Sequence, residues 1–153
     1  RLTRQEILDK GLVPERLWEE IEQTGTALFL RGQALAAEAG LVLVDTKYEM
    51  GLVDGQLTLI DEIHTPDSSR YWTAESMQGD GEPENYDKEF LRKWFATQGY
   101  RGDGQPPQMP DRFVAAVAAR YIGAYERLTG QTFEPAARPA EPRIVACFES
   151  LYE

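Results

Sequence analysis

Imidazole and thiol are nearly missing from this chain: its 153 residues include one histidine and one cysteine. A lone Cys147 excludes an internal disulfide and fits a reducing compartment. With His64 as the single imidazole, a metal centre built from several histidines is excluded, which leaves His64 a structural role or one beside a ligand. No apolar run approaches the roughly 20 residues that a membrane span needs. No signal peptide is legible either, so the expected location is cytoplasmic. Positive charge is also scarce. Lys and Arg number 16 against 26 Asp and Glu, leaving a net charge of −10 and a pI near 4.6, which argues against a nucleic-acid partner. An anionic ligand must then be drawn in by local cations against the field of the whole chain. The rest is ordinary for a soluble protein: 42% hydrophobic and 27% charged residues, in a length that makes one domain able to bury a core.

The charges that are present crowd into one stretch, Asp45–Trp72 (DTKYEMGLVDGQLTLIDEIHTPDSSRYW), where Asp45, Glu49, Asp61, Glu62 and Asp67 alternate with Lys47 and Arg70. Two aliphatic runs, Leu41–Val44 and Leu57–Ile60, predict the strands of a β-hairpin with Val53-Asp54-Gly55 at its turn. Turn length sets the register. A two-residue Asp-Gly turn puts Glu49 and Asp61 on opposite faces. A three-residue loop puts Lys47 opposite Asp61, with Glu49 diagonal to it and Asp45 on the same face. The three-residue loop is favoured because opposite charges then compensate. Two bare carboxylates about 4 Å apart repel by about 1 kcal/mol in water and by several times that in a drier site. A divalent cation reverses that sign, and hard oxygen donors suit Mg²⁺ or Mn²⁺. The same charges also suit a cross-strand salt bridge on a solvated face. The following loop, His64–Arg70, offers hydroxyls, free backbone N–H groups and a guanidinium, the makings of a phosphate receptor. An Asp or Ser cap is the plainer use of those residues.

Elsewhere the pattern is helical. Thr3-Arg4-Gln5-Glu6 is a capping box opening a short helix that Gly11 ends. Pro14 begins a long helix to about Ala39, stopped by Gly40, with Trp18, Ile21, Leu28 and Leu35 as core positions. Gly25 and Gly32 lie on one stripe of it and cost roughly 1 kcal/mol each relative to Ala, which a close backbone contact with the sheet would explain. Gln78–Asn85 is turn-rich, a helix is expected over about Asp87–Thr97, and Gly99–Pro110 reads as a loop. Pro110-Asp111 opens a helix to Thr129, with Val114, Val117, Tyr121 and Tyr125 on one face and Gly130 at its end. Residues 133–153 read as a Pro/Ala-rich linker and a short amphipathic segment, Arg143–Tyr152.

Three segments, Val44–Gly51 (VDTKYEMG), Ile60–Trp72 (IDEIHTPDSSRYW) and Tyr86–Arg92 (YDKEFLR), closely resemble the C-terminal half of the SAICAR synthetase (phosphoribosylaminoimidazole-succinocarboxamide synthase) family of purine biosynthesis. GLVPERLWEEIEQTGTALFLRGQALAAEAG and RYIGAYERLTG are similar too, so the likeness covers roughly residues 1–132, and three ordered motifs make it specific. The resemblance implies an α+β domain, a small antiparallel sheet or β-hairpin flanked by helices, completing an ATP-grasp-like or kinase-like two-lobe enzyme. It implies an ATP-dependent ligase that joins carboxyaminoimidazole ribonucleotide to L-aspartate through an acyl phosphate. Glu49 and Asp61 would bind Mg²⁺ on the nucleotide phosphates, and Lys47 would neutralise charge at the carboxylate under attack. Asp67, Ser69 and Arg70 would meet the ribonucleotide, Arg70 at its 5′-phosphate, with Lys88 and Arg92 lining the substrate side. Asp45, beside Lys47 in the catalytic centre, and Asp87 would hold these cations in place. Nothing here resembles the family's N-terminal ATP lobe, so the expectation is part of a site, with the missing lobe as partner and little turnover by the chain alone. The alternatives are a non-catalytic nucleotide-binding module and another ATP-dependent carboxylate–amine ligase.

Overall fold

The computed structural model describes residues 1–151 except 80, 82 and 87. Helix α1 (Arg4–Asp9) starts at the capping box: Thr3 Oγ1 accepts from the Glu6 N–H while Glu6 accepts from the Thr3 N–H. Gly11 ends that turn at φ 60°. Helix α2 (Glu15–Glu38) follows Pro14 and stops at Gly40, φ 68°. Its inner stripe is Phe29, Gly32 and Ala36, packed on the buried Leu41, Leu43 and Tyr71. Leu35 lies one position off that stripe and is exposed, contrary to the core position expected for it. Small residues replace it at the contact because helix and sheet approach closely there.

Two small antiparallel sheets carry the charged stretch. Strands β2 (Met50–Val53) and β3 (Gln56–Leu59) form a hairpin with Val53 opposite Gln56. Its turn is the two-residue one, Asp54-Gly55, with φ 51° and 78°, so the expected three-residue loop is wrong. Strand β1 (Leu41–Thr46) does not pair with β3, as its aliphatic run suggested, but with β4 (Ser69–Thr73). The register of that pair slips between Leu43 and Asp45, which leaves Val44 as an extra residue. Leu41 and Leu43 face the core opposite Thr73 and Tyr71, and the bulge then sets Asp45 directly across from Arg70.

The segment after the 3₁₀ turn Ser76–Gln78 comes back along β4: Thr73 N–H donates to Glu84 O, Tyr86 N–H donates to Tyr71 O, and Trp72 bridges Asn85. Helix α3 (Glu89–Thr97) follows, and Lys88 and Arg92 line the same cleft as Arg70. The helix is held by α4 (Asp111–Thr129), whose Phe113 stacks on Phe90 and Trp94 at 5.1 and 4.7 Å, while the Arg120 guanidinium lies 4.1 Å from the Phe90 ring centre. The buried face of α4 centres on Ala124, whereas Val114 and Tyr125 are exposed. Gly130 closes α4 at φ 67°, as expected. Helix α5 (Glu141–Ser150) gives the amphipathic tail a definite conformation, with Ile144, Val145 and Phe148 exposed; Tyr152 lies outside the described residues.

Candidate active site

The bulged end of β1, the start of β4, the loop before it and the first turns of α3 border one cleft of about 510 Å³. Among the described residues Arg1, Lys47, Arg70, Lys88 and Arg92 line it, together with the carboxylates Asp45 and Asp67 and with Thr46, Ser68 and Ser69. In a chain of net charge −10 this is a local excess of cations, the condition under which an anionic ligand is focused. Seven sequence-predicted residues, Asp45, Lys47, Asp67, Ser69, Arg70, Lys88 and Arg92, meet here although they are spread over almost fifty positions of chain.

Four of these cations, Lys47, Arg70, Lys88 and Arg92, pair with a neighbouring carboxylate. Arg70 Nε lies 2.9 Å from both Asp45 oxygens and a terminal nitrogen adds a second contact, so the guanidinium plane is fixed by a fork-like pair. The Arg70 hydrogen bond keeps the Asp45 carboxyl below its ordinary pKa, with the Arg70 and Arg92 charges adding to it. Lys88 reaches Asp67 at 3.3 Å, and Arg92 reaches Glu89 at 3.3 Å. Asp87, expected to help hold these cations, lies outside the described residues. Ser69 is buried and its hydroxyl pairs with Thr46 Oγ1 at 2.8 Å, closing the floor of the cleft.

Four of the loop N–H groups expected to be free, those of Thr65, Asp67, Ser68 and Ser69, are taken. Thr65 Oγ1 accepts from the Asp67 and Ser68 amides, Ser68 Oγ accepts from the Thr65 amide, and the Ser69 amide donates to Thr65 O at 2.9 Å. The loop spends these donors on its own shape, as a Thr-capped turn does. An anion in the cleft would therefore meet chiefly the side-chain cations.

Glu49 and Asp61 stand at the edge of the cleft, on Lys47. Lys47 Nζ contacts Glu49 Oε1 closely and Asp61 Oδ2 at 3.5 Å. The two-residue turn would place these carboxylates on opposite faces of a continued ladder, but the ladder ends at Met50 and Leu59, and Lys47 bridges both from outside it. The Glu49 hydrogen bond, then its charge and that of Asp61, raise the pKa of Lys47. All three side chains are more than a third exposed, so solvent screens the cluster and it adds little to stability. Among the described residues no three His, Cys, Asp or Glu side chains converge into a metal cage. Mg²⁺ does not demand one, because it binds through one or two carboxylates plus phosphate oxygens and water. A cation, the Lys47 ammonium, already sits between two hard-oxygen donors, and in that respect the donor set fits.

A model of the SAICAR synthetase family matches residues 1–108. The chain belongs to the SAICAR synthetase family. The phosphoribosylaminoimidazole-succinocarboxamide synthase of Bacteroides thetaiotaomicron is 45% identical over 138 residues, which are 86% of this chain and 44% of that enzyme. That of Cytophaga hutchinsonii is 42% identical over 151 residues, 94% of this chain and 49% of the relative. Among solved structures, the SAICAR synthase of Saccharomyces cerevisiae in complex with SAICAR superposes with a TM-score of 0.71 at 35% identity, covering 82% of this chain and 42% of that one. A SAICAR synthetase in complex with ADP superposes with a TM-score of 0.63 at 25% identity, covering 88% and 46%. The chain therefore spans less than half the length of these members of the SAICAR synthetase family.

Two residues of this site were not expected from the sequence. Thr46 lines the cleft and pairs with Ser69 only because of the bulge at Val44, which alternation along the strands does not reveal. Arg1 also lines it, with no local signal to say so.

Proposed function

We propose that this chain carries the ribonucleotide side and the metal-binding carboxylates of an ATP-dependent ligase of purine biosynthesis. The enzyme joins the carboxylate of carboxyaminoimidazole ribonucleotide to the amine of L-aspartate. In the first step a ribonucleotide carboxylate oxygen attacks the γ-phosphorus of ATP, and the β–γ bond breaks to release ADP. In the second the aspartate nitrogen attacks the acyl carbon, loses a proton, and phosphate leaves with its oxygen. Phosphoryl transfer asks the protein mainly for positioning and charge neutralisation. Arg70, with its plane fixed by Asp45, pairs with the 5′-phosphate, and Lys88 and Arg92 add charge on the same side. Asp67 and Ser69 meet the ribonucleotide. Lys47 neutralises the carboxylate that is activated. Glu49 and Asp61 would hold Mg²⁺, whose chemistry there is to neutralise nucleotide phosphate charge. The rest of an ATP-grasp-like, two-lobe enzyme covers ATP, this chain being its C-terminal domain over residues 1–132. The chain alone turns over little, and the working compartment is the cytoplasm. No described helix is long and apolar enough to cross a membrane.

What supports this reading is one observation: seven residues marked by the family motifs border a single cation-rich cleft in a chain of that family. The experiment is calorimetric titration of carboxyaminoimidazole ribonucleotide into the chain and into Arg70→Ala. Loss of a charge-assisted phosphate contact should remove about 1.5–3 kcal/mol, roughly ten- to a hundredfold in affinity. Unchanged affinity sinks the assignment of Arg70.

A further inference from the structure

His64 takes no part in the chemistry above, yet it contacts α2, the segment that follows β1, and strand β4. Its backbone adopts φ 55°, a left-handed conformation uncommon for a residue with a side chain. Its ring lies against Gly32 of α2 so closely that a Cβ there would fall 2.3 Å from Cε1 and 2.5 Å from Nδ1. Nε2 is 2.6 Å from the Tyr48 hydroxyl, and the two rings meet edge to face at 5.7 Å. The backbone oxygen of His64 accepts from the Tyr71 hydroxyl at 2.6 Å. Tyr48 stands between Lys47 and Glu49, and Tyr71 directly follows Arg70. One residue thus binds both arms of the site: the Lys47–Glu49 arm through its ring, and the Arg70 arm and the following loop through its carbonyl.

We propose that His64 is the positioning residue that sets the Lys47–Glu49 arm against the Arg70 strand, with Gly32 as the notch that seats its ring. The inference rests on the cleft being the ribonucleotide site. A single amide reports the spacing of the arms without any ligand, because the Lys47 N–H donates to Ser68 O at 3.3 Å, across the gap between them.

The test uses the full chain and three variants: His64→Ala, His64→Gln, whose amide can reach the Tyr48 hydroxyl, and Tyr48→Phe. Amide hydrogen exchange is read by NMR at Lys47, and ribonucleotide affinity by calorimetry, with Arg70→Ala as the control on the site itself. His64→Ala should speed Lys47 exchange by roughly tenfold and weaken ribonucleotide binding by roughly fivefold or more, with protection of the β1–β4 ladder retained. Tyr48→Phe, which keeps the ring and removes one hydroxyl, should move both readouts in the same direction by roughly two- to tenfold. His64→Gln should restore most of both. If Arg70→Ala leaves binding unchanged, the reading of the cleft fails, and Lys47 exchange still decides the positioning role. Unaltered Lys47 exchange in both His64→Ala and Tyr48→Phe overturns the proposal. If His64→Ala does not fold, Tyr48→Phe decides alone.

Discussion

Replacing Gly32 by alanine should destabilise this protein, although the same change in a helix interior is ordinarily favourable. Alanine is better than glycine by about 0.8–1.0 kcal/mol in such positions. At residue 32 the added Cβ would meet the His64 ring at 2.3 and 2.5 Å and Leu43 Cδ2 at 2.8 Å. Neither neighbour is a free end. Leu43 is fully buried, and His64 is tied by Tyr48 at its ring and by Tyr71 at its carbonyl. Overpacking of this kind costs about 1–3 kcal/mol, and displacing the imidazole forfeits a hydrogen bond worth about 1 kcal/mol. With the helix gain subtracted, the net loss is about 1–3 kcal/mol, or about 2–12 °C in Tm for a chain of this size. Gly25 on the same helix is the control. There a Cβ would lie 3.6–3.9 Å from Tyr48 and Met50, ordinary contact distances, so Gly25→Ala should be neutral or stabilising by up to about 1 kcal/mol. Thermal and urea melts of both variants decide the matter. A Gly32→Ala variant that melts at or above the parent would refute the reasoning.

Glu49→Gln combined with Asp61→Asn should abolish Mg²⁺-dependent activity in a full-length enzyme, yet leave the thermal melt of this chain essentially unchanged, because the ion pairs are exposed. A double variant that unfolds would favour a structural salt bridge instead. Burial holds the pKa of His64 below 6.5, so the unfolded chain takes up that proton first as pH falls. Stability is therefore full above about pH 6.5 and declines as pH drops below it, and His64→Gln should flatten the slope between about pH 7.5 and pH 5.5 in thermal melts. As the single histidine, it is the only side chain expected to act in that window. Arg92→Ala should weaken ribonucleotide binding less than Arg70→Ala in the same titration, because Arg70 presents a plane fixed by Asp45 whereas Arg92 is steadied by one contact to Glu89.

The helices were legible because their punctuation is local. The Thr3/Glu6 box, Pro14, Gly40 and Gly130 each act within a turn of where they stand. Strand pairing depends on partners distant in sequence, and there the aliphatic runs misled. Leu41–Val44 and Leu57–Ile60 look like hairpin partners, but Met50–Val53 is nearer to the turn and takes the second run, leaving β1 for β4. The turn was misjudged because charge compensation was assumed to need Lys47 inside the ladder. Asp54-Gly55 was itself the stronger signal, and a lysine beyond the ladder reaches both carboxylates without help from the register. The residues of the cleft were named from motifs, but the means of assembling them was not. An extra residue at Val44 and a stretch of irregular chain returning along β4 leave no periodic trace.

The cation-rich cleft is proposed to serve a SAICAR-forming ligase. The most direct test is a chimera in which this chain replaces the matching 44% of the Bacteroides thetaiotaomicron enzyme. ADP release is measured with Mg-ATP, carboxyaminoimidazole ribonucleotide and L-aspartate, leaving out each in turn. ADP release should need all three and be lost with Arg70→Ala. A folded chimera that binds the ribonucleotide and releases no ADP would contradict the proposal and make this chain a binding module.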